Sequence, residues 1–411
     1  MIYQPENVKG FEDYLPNESQ KREKIKEIAK KYFKLYGFLP VETPTIEFDE
    51  LMRSDVGEED EAVRDRFRLR DRANRNLGLR YEFTFQLARI FKQNPNIKLP
   101  FRRYQIGSVF RDENIKVGRT REFTQCDIDI VGDPTIKAEA ECLAVADDIL
   151  KELKIENVEI QINNRKLVDE IIKSVQIQEK QAVLREIDKI EKIGEDQVKM
   201  NLKKFADSNQ ILSLFKLMEK DVSFFKDNMF EGSQELVDLI QKCKELGVKV
   251  IFNPKLMRGF NYYTGCVFEI LVGKTALLGG GRYDKLVGKY IPNKEIPAVG
   301  LSFSVEAVMG LCQKEINQLQ IENTKAIVIS IEKDKESIKL AQNLRKNNIS
   351  CIINSNGPGK ALEYANSYQI QYAIFVGKDE IKSKKFKLKD MQSGEESLLS
   401  EKSLISKILR I

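Results

Sequence analysis

FRRYQIGSVFRDENIKVGRTREFTQCDIDIV, residues 101–131, holds two alternating runs separated by a polar, charged turn. RRYQIGSVFR reads as one strand and REFTQCDIDIVG as its antiparallel partner, joined by DENIKVGRT with its single Gly118. The pattern is that of a hairpin with a long, basic-tipped loop. Arg111 ends the first strand ahead of Asp112 and Glu113, and Arg119 and Arg121 stand where the chain returns. A guanidinium on a rigid sheet suits a phosphate, which it grips with two parallel N–H groups. The local pattern fits solvated surface arginines as well. On the return strand Gln125, Asp127 and Asp129 alternate onto one face, acceptors that match an ammonium group and ring N–H donors.

On the N-terminal side, apolar Ile25, Ile28, Ala29, Tyr32, Phe33 and Tyr36 recur at helical spacing. They predict a helix over 19–36 with Ser19 as N-cap and Gly37 as stop. PVETPTIEF (40–48) is extended and interrupted by Pro44, which suits an edge or interface strand. LRYEFT (79–84) reads as a strand with Glu82 and Thr84 on one face. On the C-terminal side, residues 137–153 are helical and VEIQI (158–162) is a short strand. A Lys/Glu-rich, Gly- and Pro-poor stretch of about 170–245 reads as a helical insertion, after which strand signals return. Beyond a polar linker near 313–323, AIVISI, CIIN and YAIFVG alternate with helical patterns, then FKLKD and a final helix follow. That is a small α/β unit.

With 411 residues the chain has room for two or three domains. Its net charge of +5 excludes a polycation but permits a local basic face. Its six cysteines form no CxxC pair and are scattered, as in a reduced, cytoplasmic protein. No apolar run is long enough for a membrane span, and the N-terminus has no leader pattern. The chain contains no histidine at all. Every mechanism that needs a protein imidazole as base or metal ligand is thereby excluded. Chemistry must then run on carboxylates, Arg, Lys, Tyr, substrate groups or a carboxylate-bound magnesium, and no residue is singled out as a metal ligand.

Two further segments carry unusual composition. LMRGFNYYTG (256–265) packs Arg258, Tyr262 and Tyr263 between glycines, and LGGGRYD (278–284) sets three glycines before Arg282 and Tyr283. Such glycines let backbone approach backbone or ligand closely. Neither segment matches a dinucleotide-binding or P-loop pattern.

Taken in order, these segments resemble the class II histidyl-tRNA synthetases, in the eukaryotic and archaeal style. The N-terminal helix with PVETPTIE resembles motif 1, the hairpin motif 2, and PAVGLSFSVEAV (297–308) motif 3. RGFNYYTG and GGGRYDKLVG resemble the two histidine-specific signatures, and the C-terminal block resembles the family's anticodon-binding domain. The resemblance implies an α+β catalytic domain over 1–322, an antiparallel sheet of six or seven strands flanked by helices. The insertion interrupts it, and an α/β anticodon-binding domain follows over 323–411. It implies a homodimer that uses ATP and Mg2+ to join histidine to tRNA(His). Carried over by position, Glu82, Thr84, Gln125 and Asp129 line the amino-acid pocket, with Glu82 and Gln125 on the α-ammonium. Tyr263 and Tyr283 close on the imidazole, with Tyr262 in the same histidine set. Arg111 and Arg258 bind the α-phosphate, Glu113 helps hold the adenine, and Arg119 joins the ATP set. The histidine carboxylate then attacks the α-phosphorus and pyrophosphate leaves, after which the terminal ribose hydroxyl of the tRNA attacks the adenylate, takes the histidyl group and releases AMP.

Three positions depart from the family pattern: Ala307 where motif 3 ends in arginine, Asn261 where Asp is expected, and Thr124 where an aromatic residue or His is common. Ala307 keeps open a catalytically silent relative, such as the regulatory subunit of ATP phosphoribosyltransferase. A tRNA-binding protein without catalysis is the third reading. The five lysines between Lys382 and Lys389 suit RNA phosphates or a solvated edge strand equally.

Overall fold

In the computed structural model, which describes residues 4–52, 65–115, 118–257, 263–292, 294–319 and 323–409, the first strands are β1 (Leu39–Pro40), β2 (Ile46–Phe48), β3 (Arg68–Arg70) and β4 (Asn76–Leu79). They lead into the hairpin of β5 (Phe101–Phe110) and β6 (Glu122–Val131). Then come β7 (Val158–Asn164), β8 (Ile251–Phe252), β9 (Cys266–Val272), β10 (Thr275–Arg282) and β11 (Ala298–Ser304). Contacts divide the chain into two units, Met1–Leu319 and Gln320–Ile411.

The large sheet of the first unit runs β1-β5-β6-β11-β10-β9-β7-β8. Its six central strands are antiparallel, and the two-residue end strands β1 and β8 lie parallel to their neighbours. The sheet is therefore mixed and eight strands wide, wider than the sequence predicts, because two-residue pairings leave no alternation to read. β2, β4 and β3 form a separate small sheet.

Alternation along β6 assigns the two faces of the large sheet. Cys126, Ile128 and Ile130 point into a core shared with Ile25, Ala29 and Phe33 of the Pro16–Leu35 helix and with Cys142, Val145 and Ile149 of the Lys137–Glu152 helix. Gln125, Asp127 and Asp129 must then point to the opposite face. The first helix keeps the expected apolar stripe but starts at Pro16, and its N-cap is Leu15 rather than Ser19. Proline's fixed φ and missing N–H suit the first helical position, so the helix begins one turn early. The insertion is helical as expected: seven helices run from Arg165–Ser174 to Ser233–Glu245, and their apolar faces join the same core.

The second unit holds β12 (Ala326–Ser330), β13 (Cys351–Asn354), β14 (Tyr372–Val376), β15 (Lys385–Asp390) and β16 (Glu396–Ser400), in the order β13-β12-β14-β15-β16. The first three are parallel and the last two antiparallel. β16 is absent from the sequence reading; ESLLS is short, polar at both ends and open to solvent at alternate residues, so it resembles a loop. Lys387 and Lys389 of β15 both face Glu396 across the ladder, at 2.6 and 3.8 Å.

All six cysteines are unpaired and buried. Among the described residues no helix is long and apolar enough to cross a membrane.

The glycine triplet 279–281 lies in β10, in the middle of the large sheet. A Cβ on Gly280 would sit 2.0 Å from the carbonyl oxygen of Gly300 and 2.5 Å from the Phe268 ring. The strands must part to admit it. Gly280→Ala is expected to cost about 1–3 kcal/mol or more, read as a lower urea midpoint at unchanged cooperativity.

Candidate functional site

The polar face of the large sheet is a lattice fixed by register. Asp129 of β6 lies between Arg103 of β5 and Gly300 of β11, Asp127 between Gln105 and Ser302, and Gln125 between Gly107 and Ser304. Gly279 and Gly281 continue the rows on β10. Small residues on β10 and β11 leave open space over the carboxylates: a Cβ on Gly300 would fall 2.2 Å from Asp129 Oδ1. Glu82, Thr84, Gln125, Asp127, Asp129, Tyr263 and Tyr283 line the resulting cavity, and Arg111, Glu113, Arg119 and Ala307 line it as well. Of the residues singled out from sequence, Arg258, Asn261 and Tyr262 lie outside the described residues.

Glu82 and Thr84 reach the cavity by a route other than a strand. β4 ends at Leu79, and residues 80–84 form a turn into the Phe85–Gln93 helix. Alternating LRYEFT mimics a strand, but the helix that begins at Phe85, with its buried Leu87, Ala88 and Phe91, claims the chain first.

Asp129 is held from both sides. Arg103, fully buried, meets its Oδ2 at 2.6 Å, and the Tyr283 hydroxyl donates to Oδ1. Asp127 Oδ2 accepts from Gln125 Nε2 at 2.8 Å, the Ser302 side chain also acts on this carboxylate, and Oδ1 is buried without a close hydrogen-bond partner among the described residues. Glu82 Oε1 is likewise shut from solvent and has no hydrogen-bond partner among the described residues. Buried acceptors left unmatched cost free energy until a donor arrives, so the cavity is set to receive N–H groups.

Three carboxylates near one another, with Arg103 and Arg111 as the cations acting on them, cannot all ionise freely. Burial pushes Glu82 up to about 7; Arg111 pulls it back, while Asp127 and Asp129 push it further up. Burial likewise carries Asp127 up to about 7, against the pull of Arg103. Burial also raises Asp129, again against Arg103. A cationic group entering the cavity is stabilised by all three. The sign for the ligand-free protein follows. Between the ordinary carboxylate range and about 7, the folded form binds more protons than the unfolded form, so stability falls as pH rises through that window. Glu82→Gln is expected to flatten the curve of urea midpoint against pH in that window, leaving the share of Asp127.

The cations lie toward the hairpin loop. Arg111 donates from Nε to the Tyr81 carbonyl at 3.3 Å and from Nη2 to Gln125 Oε1 at 3.4 Å. Its guanidinium stands 4.3 Å from the Tyr81 ring centre and 4.9 Å from that of Phe123. Arg119 is mostly exposed and pairs loosely with Glu113 at 3.7 Å. Ala307 lies in the first turn of the Val305–Leu311 helix beside them, and a Cβ on Gly118 would come within 3.2 Å of its Cα. The neighbouring Glu306 faces inward, pairs with Arg22 at 2.7 Å and takes the Thr124 N–H on both oxygens. Arg22 in turn donates to Thr124 Oγ1 and lies over the Tyr14 ring. Thr124, a departure from the family pattern, thus serves this buried network. Arg282 is committed to Glu139 through two hydrogen bonds of 2.5 and 2.7 Å, which ties β10 to the Lys137–Glu152 helix.

Sequence reasoning passes over Arg103, Phe123 and Ser302. Arg103 gives no signal of its own within FRRYQ; only the register that sets it opposite Asp129 reveals it.

Residues 10–308 match the sequence family described as Histidyl-tRNA synthetase, and residues 325–411 match the Anticodon binding domain. Histidine--tRNA ligase 1 of Bacillus cereus is 39% identical over 414 residues, covering 95% of this chain and 94% of its own. Among solved structures, histidyl-tRNA synthetase from Nostoc sp. PCC 7120 superposes with a TM-score of 0.87 at 27% identity, over 99% of both chains. A Bacillus halodurans protein titled ATP phosphoribosyltransferase regulatory subunit/histidyl-tRNA synthetase shares the fold, with a TM-score of 0.75 at 21% identity over 91% of this chain and 99% of its own. These relatives are bacterial, and none of them speaks for a eukaryotic or archaeal style. With its catalytic region and its C-terminal region both matched, the chain belongs to the histidyl-tRNA synthetase family.

Proposed function

We propose that this protein attaches histidine to tRNA(His) in two steps, through a histidyl-adenylate. One observation carries the reading: a cavity with an acidic floor of Glu82, Asp127 and Asp129 adjoins a cationic rim of Arg111 and Arg119. The floor suits an amino acid's ammonium and ring N–H groups, and the rim suits phosphate. Glu82 and Gln125 take the α-ammonium; Thr84, Asp129, Tyr263 and Tyr283 line the imidazole pocket, and Tyr262 belongs to the same histidine-binding segment. Arg111 and Arg258 meet the α-phosphate, Glu113 supports the adenine, and Arg119 serves the phosphates further along. Charge that develops on the α-phosphate during attack by the histidine carboxylate is met by guanidinium groups already in place. Holding both reactants in one cavity supplies much of the remaining acceleration.

Magnesium enters as part of the MgATP substrate, held chiefly by phosphate oxygens. A cavity that satisfies both ring nitrogens rejects amino acids without them, since its buried polar groups would be left unpaired. The catalytic role falls to residues 1–322, with the helical insertion at about 170–245, and the anticodon role to 323–411. Exposed Leu39, Ile46, Phe48 and Leu69 on β1, β2 and β3 suit burial between two copies in a homodimer. The six unpaired thiols suit the cytoplasm.

The test is ATP–pyrophosphate exchange with purified protein and magnesium across a panel of amino acids. Exchange with histidine alone, followed by charging of tRNA(His), is the expected result. A folded protein that exchanges with none of them overturns the reading in favour of a regulatory or purely tRNA-binding role.

A further inference from the structure

We infer that Asp127 is a positioning residue for the amino-acid site: it fixes the side-chain amide of Gln125 so that Oε1, not Nε2, is presented toward Arg111 and the cavity. This rests on the histidine-activating reading above.

A glutamine amide has a donor end and an acceptor end of nearly equal shape, and only its neighbours determine which end points where. Gln125 lies between two opposite ions. Asp127, two residues along the same face of β6, takes Nε2 at 2.8 Å. Arg111 donates from Nη2 to Oε1 at 3.4 Å. Reversing the amide would set Oε1 against a carboxylate and Nε2 against a guanidinium. Both contacts would become repulsive, in surroundings where Asp127 is 3% exposed and Gln125 4%. The Arg111 contact is long and belongs to a residue expected to turn toward phosphate, so Asp127 is the stronger of the two constraints. Its side chain is itself confined: Gln105 and Ser302 flank it on β5 and β11.

The consequence is a matched pair of acceptors. Gln125 and Glu82 both line the cavity, and among the described residues Glu82 Oε1 has no hydrogen-bond partner. An ammonium group can donate to both. With the amide reversed, Nε2 would face the same ammonium, donor against donor. Asp127 thus sets the polarity of the site through Gln125, in addition to its place in the acidic floor.

The experiment compares wild type, Asp127→Leu and Asp127→Asn in steady-state ATP–pyrophosphate exchange at pH 8, with thermal midpoints as the check on folding. Asp127→Leu is expected to raise KM for histidine roughly tenfold or more, with KM for ATP unchanged. Asp127→Asn, whose Oδ1 still accepts from Gln125 Nε2, is expected to restore KM for histidine to within a factor of about three of wild type. A folded Asp127→Leu variant with wild-type KM for histidine overturns the inference. So does an Asn variant as impaired as Leu, because then the charge and not the acceptor is what counts. Should Asp127→Leu not fold, Asp127→Ser takes its place; its shorter side chain cannot reach Gln125, and the same KM criterion applies. Wild-type protein inert with every amino acid would instead defeat the underlying reading.

Discussion

Arg111→Gln is expected to slow histidine-dependent pyrophosphate exchange by about 10²–10³-fold while the fold stays intact. The wild-type guanidinium is held before any ligand arrives, by the Tyr81 carbonyl, by Gln125 and between the Tyr81 and Phe123 rings. Charge appearing on the α-phosphate then needs no reorganisation to be stabilised. Glutamine keeps some hydrogen-bonding capacity but loses the charge and the fork. The loss belongs mainly in kcat, since the interaction strengthens as negative charge grows. A second effect accompanies it: Arg111 is the cation that pulls the Glu82 carboxyl down, so its removal lets Glu82 hold a proton to higher pH. KM for histidine should therefore rise most near neutrality and recover toward pH 8.5. Arg111→Lys restores charge without the planar fork, and only partial recovery is expected. Exchange rates within about threefold of wild type in Arg111→Gln would remove Arg111 from the reaction.

Arg103→Leu carries the largest expected loss of stability, about 3–5 kcal/mol. Arg103 is wholly buried, pairs with Asp129 at 2.6 Å and donates to the Phe83 carbonyl at 3.2 Å. Removing it leaves Asp129 in the interior with only the Tyr283 hydroxyl. The Asp129 carboxyl, already raised by burial, loses its main downward pull and moves higher still. Protonation relieves the stranded charge, so the deficit should shrink as pH falls and widen as pH rises. Urea unfolding at pH 6 and pH 8.5 measures this directly. The double variant Arg103→Leu/Asp129→Asn should recover most of the loss at the higher pH. A single variant as stable as wild type at pH 8.5 would mean that Asp129 is not held as an anion.

Much of this architecture is legible in the chain. The hairpin announces itself because two strand-like runs of ten residues each flank a polar, charged turn, and the face bearing Gln125, Asp127 and Asp129 follows from the period-two run QCDID. The insertion is legible from composition. What escapes is non-local. LRYEFT alternates like a strand, yet Glu82 and Thr84 sit in a turn set by the helix after them. β1, β8 and β16 owe their existence to neighbours rather than to their own residues. Arg103 looks like any other strand arginine until register places it against Asp129. Arg22 and Glu306 are 284 positions apart, a separation that no local pattern spans.

The burial of every cysteine gives the protein a practical property. Thiol-directed dyes and spin labels find no native target on the folded surface, and burial pushes the thiols of Cys126, Cys142 and Cys266 well above their ordinary range, which suppresses the reactive thiolate. One engineered surface cysteine, for instance at Ser383, can therefore be labelled on the wild-type background, with no native thiol removed. The reporter would follow the C-terminal unit when tRNA is added, and slow labelling of the native six would time the opening of the core.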